Sequence, residues 1–283
     1  MRAAAWAEIA PSVGSITGKW YTAEPLAGGD IASVLLVTAD RGRFVLKTHQ
    51  NPPAGFFAAE AAGLASLAHR GVRVPVVFAQ GENHLLLEYL ETAAPNHFAA
   101  GVMLAQLHDL PCESFGAEAD NYLATIRQPN APTHDWPHFF CSQRLQFCLD
   151  RLAGLSAHER NRWQQFATEI RVFLETCPKA SWLHGDLWSG NLLMGQQGPV
   201  FIDPACYAGD ALVDIAMTQL FGGFMPGFYE GYRSVLPRRE HEAELIRIYQ
   251  LYPLLVHAIL FDAGDCRQSA YYRRAVAVRE AFF

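Results

Sequence analysis

With 283 residues and 51% apolar side chains, the chain has material for a sizeable core, as one large domain or two smaller ones. Charged residues make up 18% and the formal net charge is -6, so there is no global basic field to hold nucleic acid or an anionic membrane, and any bound phosphate must be handled locally. The opening MRAAAWAEIAPSVG has no unbroken apolar core, since Glu8 interrupts it, and no uncharged apolar run further on reaches a membrane span, which points to a cytoplasmic protein.

In chain order, 34-VLLVTAD-40 and 43-RFVLKTH-49 flank a turn at Arg41 and Gly42 and predict an antiparallel hairpin. The Ala- and Leu-rich 56-FFAAEAAGLASLAHR-70, closed by Gly71, predicts a helix. A short VPVVFA strand ending at Ala79 and the run 85-LLLEYL-90 complete a small sheet. From Phe98 the pattern turns helical, in 98-FAAGVMLAQLH-108, 139-FFCSQRLQFCLDRLA-153 and 157-AHERNRWQQFATEIRVFLET-176. More helix is predicted from Asp214 to the end, broken at Pro226, Pro237 and Pro253. The expected architecture is α+β: a small N-terminal lobe, 1–90, with an antiparallel sheet and a helix, and a larger, mainly helical lobe, 91–283. The six cysteines are scattered, without CxxC or a Cys/His cluster at zinc spacing, and read as reduced core residues.

The stretch 181-SWLHGDLWSGNLLMGQQGPVFIDPA-205 carries the chemistry. Apolar 192-LLM-194, the turn 195-GQQG-198 and apolar 199-PVFI-202 predict a second hairpin, which Asn191 enters and Asp203 leaves. An amide oxygen and a carboxylate at one open end suit Mg²⁺, a hard cation that keeps phosphate and water ligands. Asp186, five residues before Asn191, is then available as a base. This spacing matches the phosphoryl-transfer constellation of kinases, although His-Gly-Asp alone is also common in turns.

Such chemistry needs a strand lysine and a helix carboxylate to orient it. Lys47 ends the strand 43-RFVLK-47, and the following helix places Phe57, Glu60, Leu64 and Leu67 on one stripe. A carboxylate buried there needs a partner, and Lys47 is the candidate; the bland alternative is a solvated Glu60 at the edge of the stripe. Gly28 and Gly29 would let backbone approach the phosphates, or would serve an ordinary turn. The backbone of Glu88, Tyr89 and Leu90 would present a donor and an acceptor to adenine, while Glu88 also reads as a plain strand-end charge.

These residues resemble the fructosamine kinase (ketosamine-3-kinase) family, within the protein-kinase-like and aminoglycoside phosphotransferase superfamily. The likeness runs through 184-HGDLWSGN-191, GGDI from Gly28, FVLK ending at Lys47, EAAGLASL from Glu60, LAQLH ending at His108, DNYL from Asp120, QPN from Gln128, DWPHFF from Asp135, IDPACY from Ile202 and AMTQLFGGF ending at Phe224. The resemblance implies a protein-kinase-like bilobal fold and ATP-dependent phosphorylation of the 3-hydroxyl of ketosamines, adducts of a sugar with an amine or a protein lysine, in deglycation or protein repair. It also implies Asp186 as base, Asn191 and Asp203 as Mg²⁺ ligands, and Lys47 with Glu60 anchoring the ATP phosphates. Trp188, which stands where protein kinases keep a lysine, and Asp30 would serve the acceptor; an indole there would pack on a sugar, or would be a packing aromatic. A monomer is expected.

The chain departs from the family pattern at 208-AGDALVD-214, with Ala211 and Leu212 where Arg and Glu would stand, and at Val256 and Ile259, where asparagines are usual. Asp214, resembling the Asp that braces the catalytic loop, is kept. The alternatives are a kinase for another hydroxylated amine, an aminoglycoside or choline-like compound, and a non-catalytic pseudokinase. An antibiotic kinase usually carries an acidic acceptor surface for a polycation, whereas the helical lobe here mixes Asp150, Glu159, Glu169 and Glu175 with Arg151, Arg160, Arg162 and Arg171. A pseudokinase would be expected to have lost Asp186, Lys47 or Asp203, and all three are present.

Overall fold

The computed structural model describes residues 2–26, 31–177, 179–261 and 264–282. It divides into two compact units, Met1–Asn96 with Leu192–Asp203, and His97–Asn191 with Pro204–Phe283. Gly28, Gly29 and Asp30 lie outside the described residues.

The first unit opens with α1 (Arg2–Thr17) and β1 (Trp20–Pro25), followed by β2 (Ser33–Ala39), β3 (Gly42–Thr48), α2 (Phe56–His69), β4 (Val77–Gln80) and β5 (His84–Glu88). The strands form one antiparallel sheet in the order β1-β2-β3-β5-β4. The β2–β3 hairpin and α2 stand where alternation and composition place them. On β3 the two-residue period of a strand sends Phe44 and Leu46 to one face, where they pack with Ile9 and Val13 of α1. It sends Val45 and Lys47 to the other face, where α2 covers Leu85 and Leu87 with Phe57 and Leu64. Neither α1 nor β1 is evident in the sequence pattern: α1 contains Pro11 and holds through Ile9 and Val13, and β1 alternates little because most of it is exposed.

In the second unit come α3 (His97–Asp109), β6 (Pro111–Cys112), β7 (Asn121–Leu123), β8 (Ile126–Gln128), α4 (Trp136–Phe140), α5 (Phe147–Leu149), α6 (Ala157–Glu169), α7 (Arg171–Leu174) and β9 (Ala180–Leu183). The chain then enters the first unit as the hairpin β10 (Leu192–Gly195) and β11 (Gly198–Phe201), paired Leu192 to Phe201 and Gly195 to Gly198. Ala93 N–H donates to Met194 O (2.7 Å) and Phe201 N–H to Arg73 O (3.0 Å), which attach the hairpin to that unit. The second unit resumes with β12 (Tyr207–Gly209), α8 (Leu212–Leu220), α9 (Pro226–Arg233), α10 (Glu242–Phe261) and α11 (Ala270–Glu280).

Two sequence expectations change here. The helix over 139–153 is interrupted by a π-helical segment, Cys141–Gln146, whose wide turns carry the buried Arg144 over the Tyr207 ring, 4.1 Å away. Pro253 does not break its helix: α10 runs through it, because the one lost backbone bond is outweighed by the burial of Leu251, Tyr252, Leu254 and Leu255 around it. Pro226 instead opens α9 at the first turn, where a missing N–H costs nothing. Among the described residues α10 is the one helix long and apolar enough to cross a membrane, and most of it is buried inside the second unit as a core helix.

Candidate active site

Lys47 is 7% exposed and its ammonium lies 2.7 Å from Glu60 Oε1 and 2.9 Å from Asp203 Oδ1, all within the first unit. The strand period puts Lys47 on the face that α2 covers, and the buried stripe of α2 (Phe57, Glu60, Leu64, Leu67) brings Glu60 to it. Burial works against the charge on Lys47, but the two carboxylates outweigh it and raise its pKa. Burial pushes Glu60 up to about 7, opposed by Lys47 and reinforced by the negative charge of Asp203. Asp203 has φ 55°, a left-handed backbone that few residues other than glycine adopt, and its side chain is 39% exposed. One carboxylate oxygen is thus engaged by Lys47.

Near the end of β5, the Glu88 N–H donates to Val76 O (2.8 Å) while its Oε2 accepts from the Val76 N–H (3.2 Å). The Glu88 N–H is therefore spent inside the sheet. The neighbouring Tyr89 ring carries the Arg43 guanidinium at 4.4 Å.

In the second unit β9 delivers His184, Gly185 and Asp186. Gly185 has φ 82°, and a Cβ there would lie 2.1 Å from the Ala205 carbonyl oxygen, so no other residue fits. The His184 and Gly185 N–H groups donate to Asp214 Oδ2 (2.7 Å) and Oδ1 (2.9 Å), and the His184 carbonyl accepts from Ala205 N–H (2.9 Å). The Asn191 side-chain amide donates to the Asp186 carbonyl (2.7 Å) and to its Oδ2 (3.2 Å), fixing the carboxylate and leaving the amide oxygen of Asn191 as an acceptor. Trp188 is 42% exposed, and its ring lies over Gly190, where a Cβ would be 2.1 Å away.

Behind the loop Asp214, marked in the sequence as its brace, is part of a fully buried chain whose other members the sequence did not connect to it. Asp214 Oδ2 lies 3.1 Å from His108 Nε2, and His108 Nδ1 2.9 Å from the Tyr232 hydroxyl. An ionised carboxylate only accepts, so Nε2 carries the proton and Nδ1 accepts from the hydroxyl. Burial raises the Asp214 pKa, but the hydrogen bonds from His108 Nε2 and the Gly185 N–H outweigh it and hold the carboxyl below its ordinary value. The signal available was His108 in LAQLH; its two partners are 106 and 124 residues away. Asp210, also fully buried, accepts two bonds from Arg239 (2.8 and 2.7 Å) and one from Tyr249 (2.8 Å). An arginine from 29 residues downstream thus supplies a cation beside the position where Ala211 departs from the expected pattern. Among the described residues no cluster of three His, Cys, Asp or Glu side chains is arranged to hold a metal.

Comparison with known proteins adds independent evidence. The sequence model for the family described as "Fructosamine kinase" matches residues 5–276. A probable ketoamine kinase of Enterococcus faecium is 39% identical over 251 residues, covering 84% of this chain and 88% of that protein. One of Thermus thermophilus is 40% identical over 244 residues, covering 85% and 88%. Among solved structures, a protein assigned as a fructosamine-3-kinase from Haemophilus somnus superposes with a TM-score of 0.86 at 27% identity, covering 98% of this chain and 97% of that one. The aminoglycoside phosphotransferase APH(4)-Ia superposes with a TM-score of 0.64 at 15% identity, a likeness of fold alone, covering 98% and 99%.

Proposed function

The chain belongs to the fructosamine kinase family, has the protein-kinase-like fold and is a phosphotransferase, and from that premise we propose that it transfers the γ-phosphoryl group of ATP to the 3-hydroxyl of a ketosamine. The observation that carries this reading is the buried Lys47 held between Glu60 and Asp203, at 2.7 and 2.9 Å. A buried ammonium shared by two carboxylates has little value as a stability device. It suits a site where one carboxylate orients the lysine toward phosphate oxygens and the other turns to a cation.

In this reading Lys47 neutralises the nucleotide phosphates and Glu60 holds it in place. Backbone groups of Tyr89 and Leu90, with the carbonyl of Glu88, meet the adenine edge. Asp203 and Asn191 suit Mg²⁺ in donor chemistry: a carboxylate with one oxygen on Lys47 and the other remaining, and an amide whose NH₂ is committed to Asp186. When bound, the ion neutralises charge on the phosphates. Asp186, oriented by Asn191, takes the proton of the attacking hydroxyl. Trp188 offers an exposed indole to the apolar face of the sugar. Transfer is then a matter of positioning and charge neutralisation.

The test is ADP release from Mg²⁺-ATP with ribuloselysine, fructoselysine, an aminoglycoside and choline, with Asp186→Asn as control. Turnover on a ketosamine, lost in Asp186→Asn by roughly 10²–10⁴-fold with ATP still bound, is the expected result. Undiminished turnover in Asp186→Asn would remove the base assignment. Turnover on choline or the aminoglycoside alone would remove the acceptor.

A further inference from the structure

The second unit carries a group of aromatic side chains beside the catalytic loop that none of these roles uses. Phe221 is followed by Gly222 and Gly223, and a Cβ on Gly223 would stand 2.5 Å from the Ser189 side chain, so this segment lies directly against the loop between Asp186 and Asn191. The Phe221 ring is 4.9 Å from that of His257, which is 5.7 Å from Phe261 and 5.1 Å from Tyr271 on α11. Phe221 and Phe261 are 37% and 53% exposed. Large rings left open to water in a contiguous group mark a place that something else covers.

His257 donates Nδ1–H to the Pro253 carbonyl (2.7 Å), so a neutral ring presents Nε2 as an acceptor. Burial lowers its pKa and the charge of Arg274 adds to the effect, although the Pro253 carbonyl opposes it; the balance favours the neutral ring. Arg274, three residues beyond Tyr271 on α11, is exposed and has no carboxylate partner among the described residues, whereas nearby Arg267 is taken by Asp265.

We propose that this aromatic wall and Arg274 select the amine half of the acceptor, favouring a ketosamine built on a carboxylate-bearing amine, an amino acid, over one built on an uncharged or polycationic amine. The inference rests on the ketosamine reading above. The rings give flat faces to the carbon body and to the protonated secondary amine, whose N–H His257 Nε2 accepts. The guanidinium matches a carboxylate with two parallel bonds. A polycation would meet the charge of Arg274, which pairs with no carboxylate among the described residues, and this sets the surface against an aminoglycoside.

The test compares kcat and KM for the ketosamines of glycine and of 6-aminohexanoate with those of glycinamide and 6-aminohexanamide, which differ only in the carboxylate. For at least one chain length the carboxylate form should be preferred by about tenfold in kcat/KM, the scale of a charge-assisted bond. Arg274→Gln should erase that preference by raising KM at unchanged kcat, leaving the amide substrates as they were. Equal use of acid and amide by the wild type, or an equal loss on both in Arg274→Gln, overturns the inference and leaves the ketosamine reading standing. No turnover on any of the four overturns both.

Discussion

The Gly185 amide nitrogen lies 2.9 Å from Asp214 Oδ1, so a residue on α8 holds the backbone of the loop that carries Asp186. The same carboxylate takes the His184 N–H and faces His108 Nε2, and so satisfies three donors where water does not reach. Asp214→Asn would turn an NH₂ group toward one of those donors. The expected cost is about 2–4 kcal/mol, with a matching fall in kcat as the loop loosens. The pH dependence follows from the depressed carboxyl: its stabilisation is present above the unfolded carboxylate value, about 3.9, and is lost as pH falls through the folded one. Urea midpoints of wild type and variant should therefore differ fully at pH 7 and converge below about pH 4. A gap of constant size down to pH 3 would show that Asp214 acts by shape alone.

Gly185→Ala should be much worse than Gly55→Ala, although both glycines have left-handed backbones, at φ 82° and 75°. At Gly55 nothing lies within 4 Å of an added Cβ, so only the backbone strain of about 1 kcal/mol applies. At Gly185 the methyl meets the Ala205 carbonyl oxygen at 2.1 Å and the loop must shift, which predicts about 3 kcal/mol or more and loss of turnover. Thermal melts of the two variants make the comparison; similar shifts would mean the close approach is relaxed at little cost.

Asp203→Asn should abolish turnover while leaving stability at or above that of the wild type. The cluster of Lys47, Glu60 and Asp203 carries one negative charge too many for its burial, and an amide at 203 removes it while still accepting from Lys47. Glu60 is pushed up to about 7, so in the wild type its contribution is full below the unfolded carboxyl value, about 4.3, and is lost as pH rises toward 7. In the Asp203→Asn variant one of the charges that raise Glu60 is gone, and the decline in stability over this window should flatten. A loss of more than about 1 kcal/mol at pH 7 would mean that the Asp203 pair is a net stabiliser.

Cys141 and Cys148 should resist thiol reagents in the folded enzyme at pH 8. Burial raises their thiols to about 11 and about 12, far from the thiolate form that reacts. Labelling with an aromatic disulfide before and after adding denaturant reads this directly; rapid modification of either in the native state would contradict the burial.

Sequence pattern and tertiary structure divide the molecule unevenly. The β2–β3 hairpin, α2 and the hairpin of 192–201 are legible because local alternation and turn residues suffice to specify them. The burial of Glu60 follows from the stripe it shares with Phe57 and Leu64. By contrast, α10 passes through Pro253 because long-range burial overrides a local preference, and Arg144 occupies a π-helical turn that no periodicity announces. The commitment of the Glu88 N–H to Val76 depends on which strand lies beside β5, something a run of apolar letters does not encode.

By itself the sequence singled out the candidate side chains, Lys47, Glu60, Asp186, Asn191 and Asp203, at spacings set by the periods of strand, helix and hairpin. Only the tertiary structure decided what surrounds them: the second carboxylate on Lys47, the Asp214–His108–Tyr232 chain behind the loop, the Arg239 pair to Asp210, and the rings of Phe221, His257, Phe261 and Tyr271 brought together from three segments. The reason is physical. Hydrogen-bond period and pleat act over a few residues and can be read locally, whereas burial, ion pairing and the pKa shifts they produce depend on partners up to 124 residues apart, which meet only when the whole core has formed.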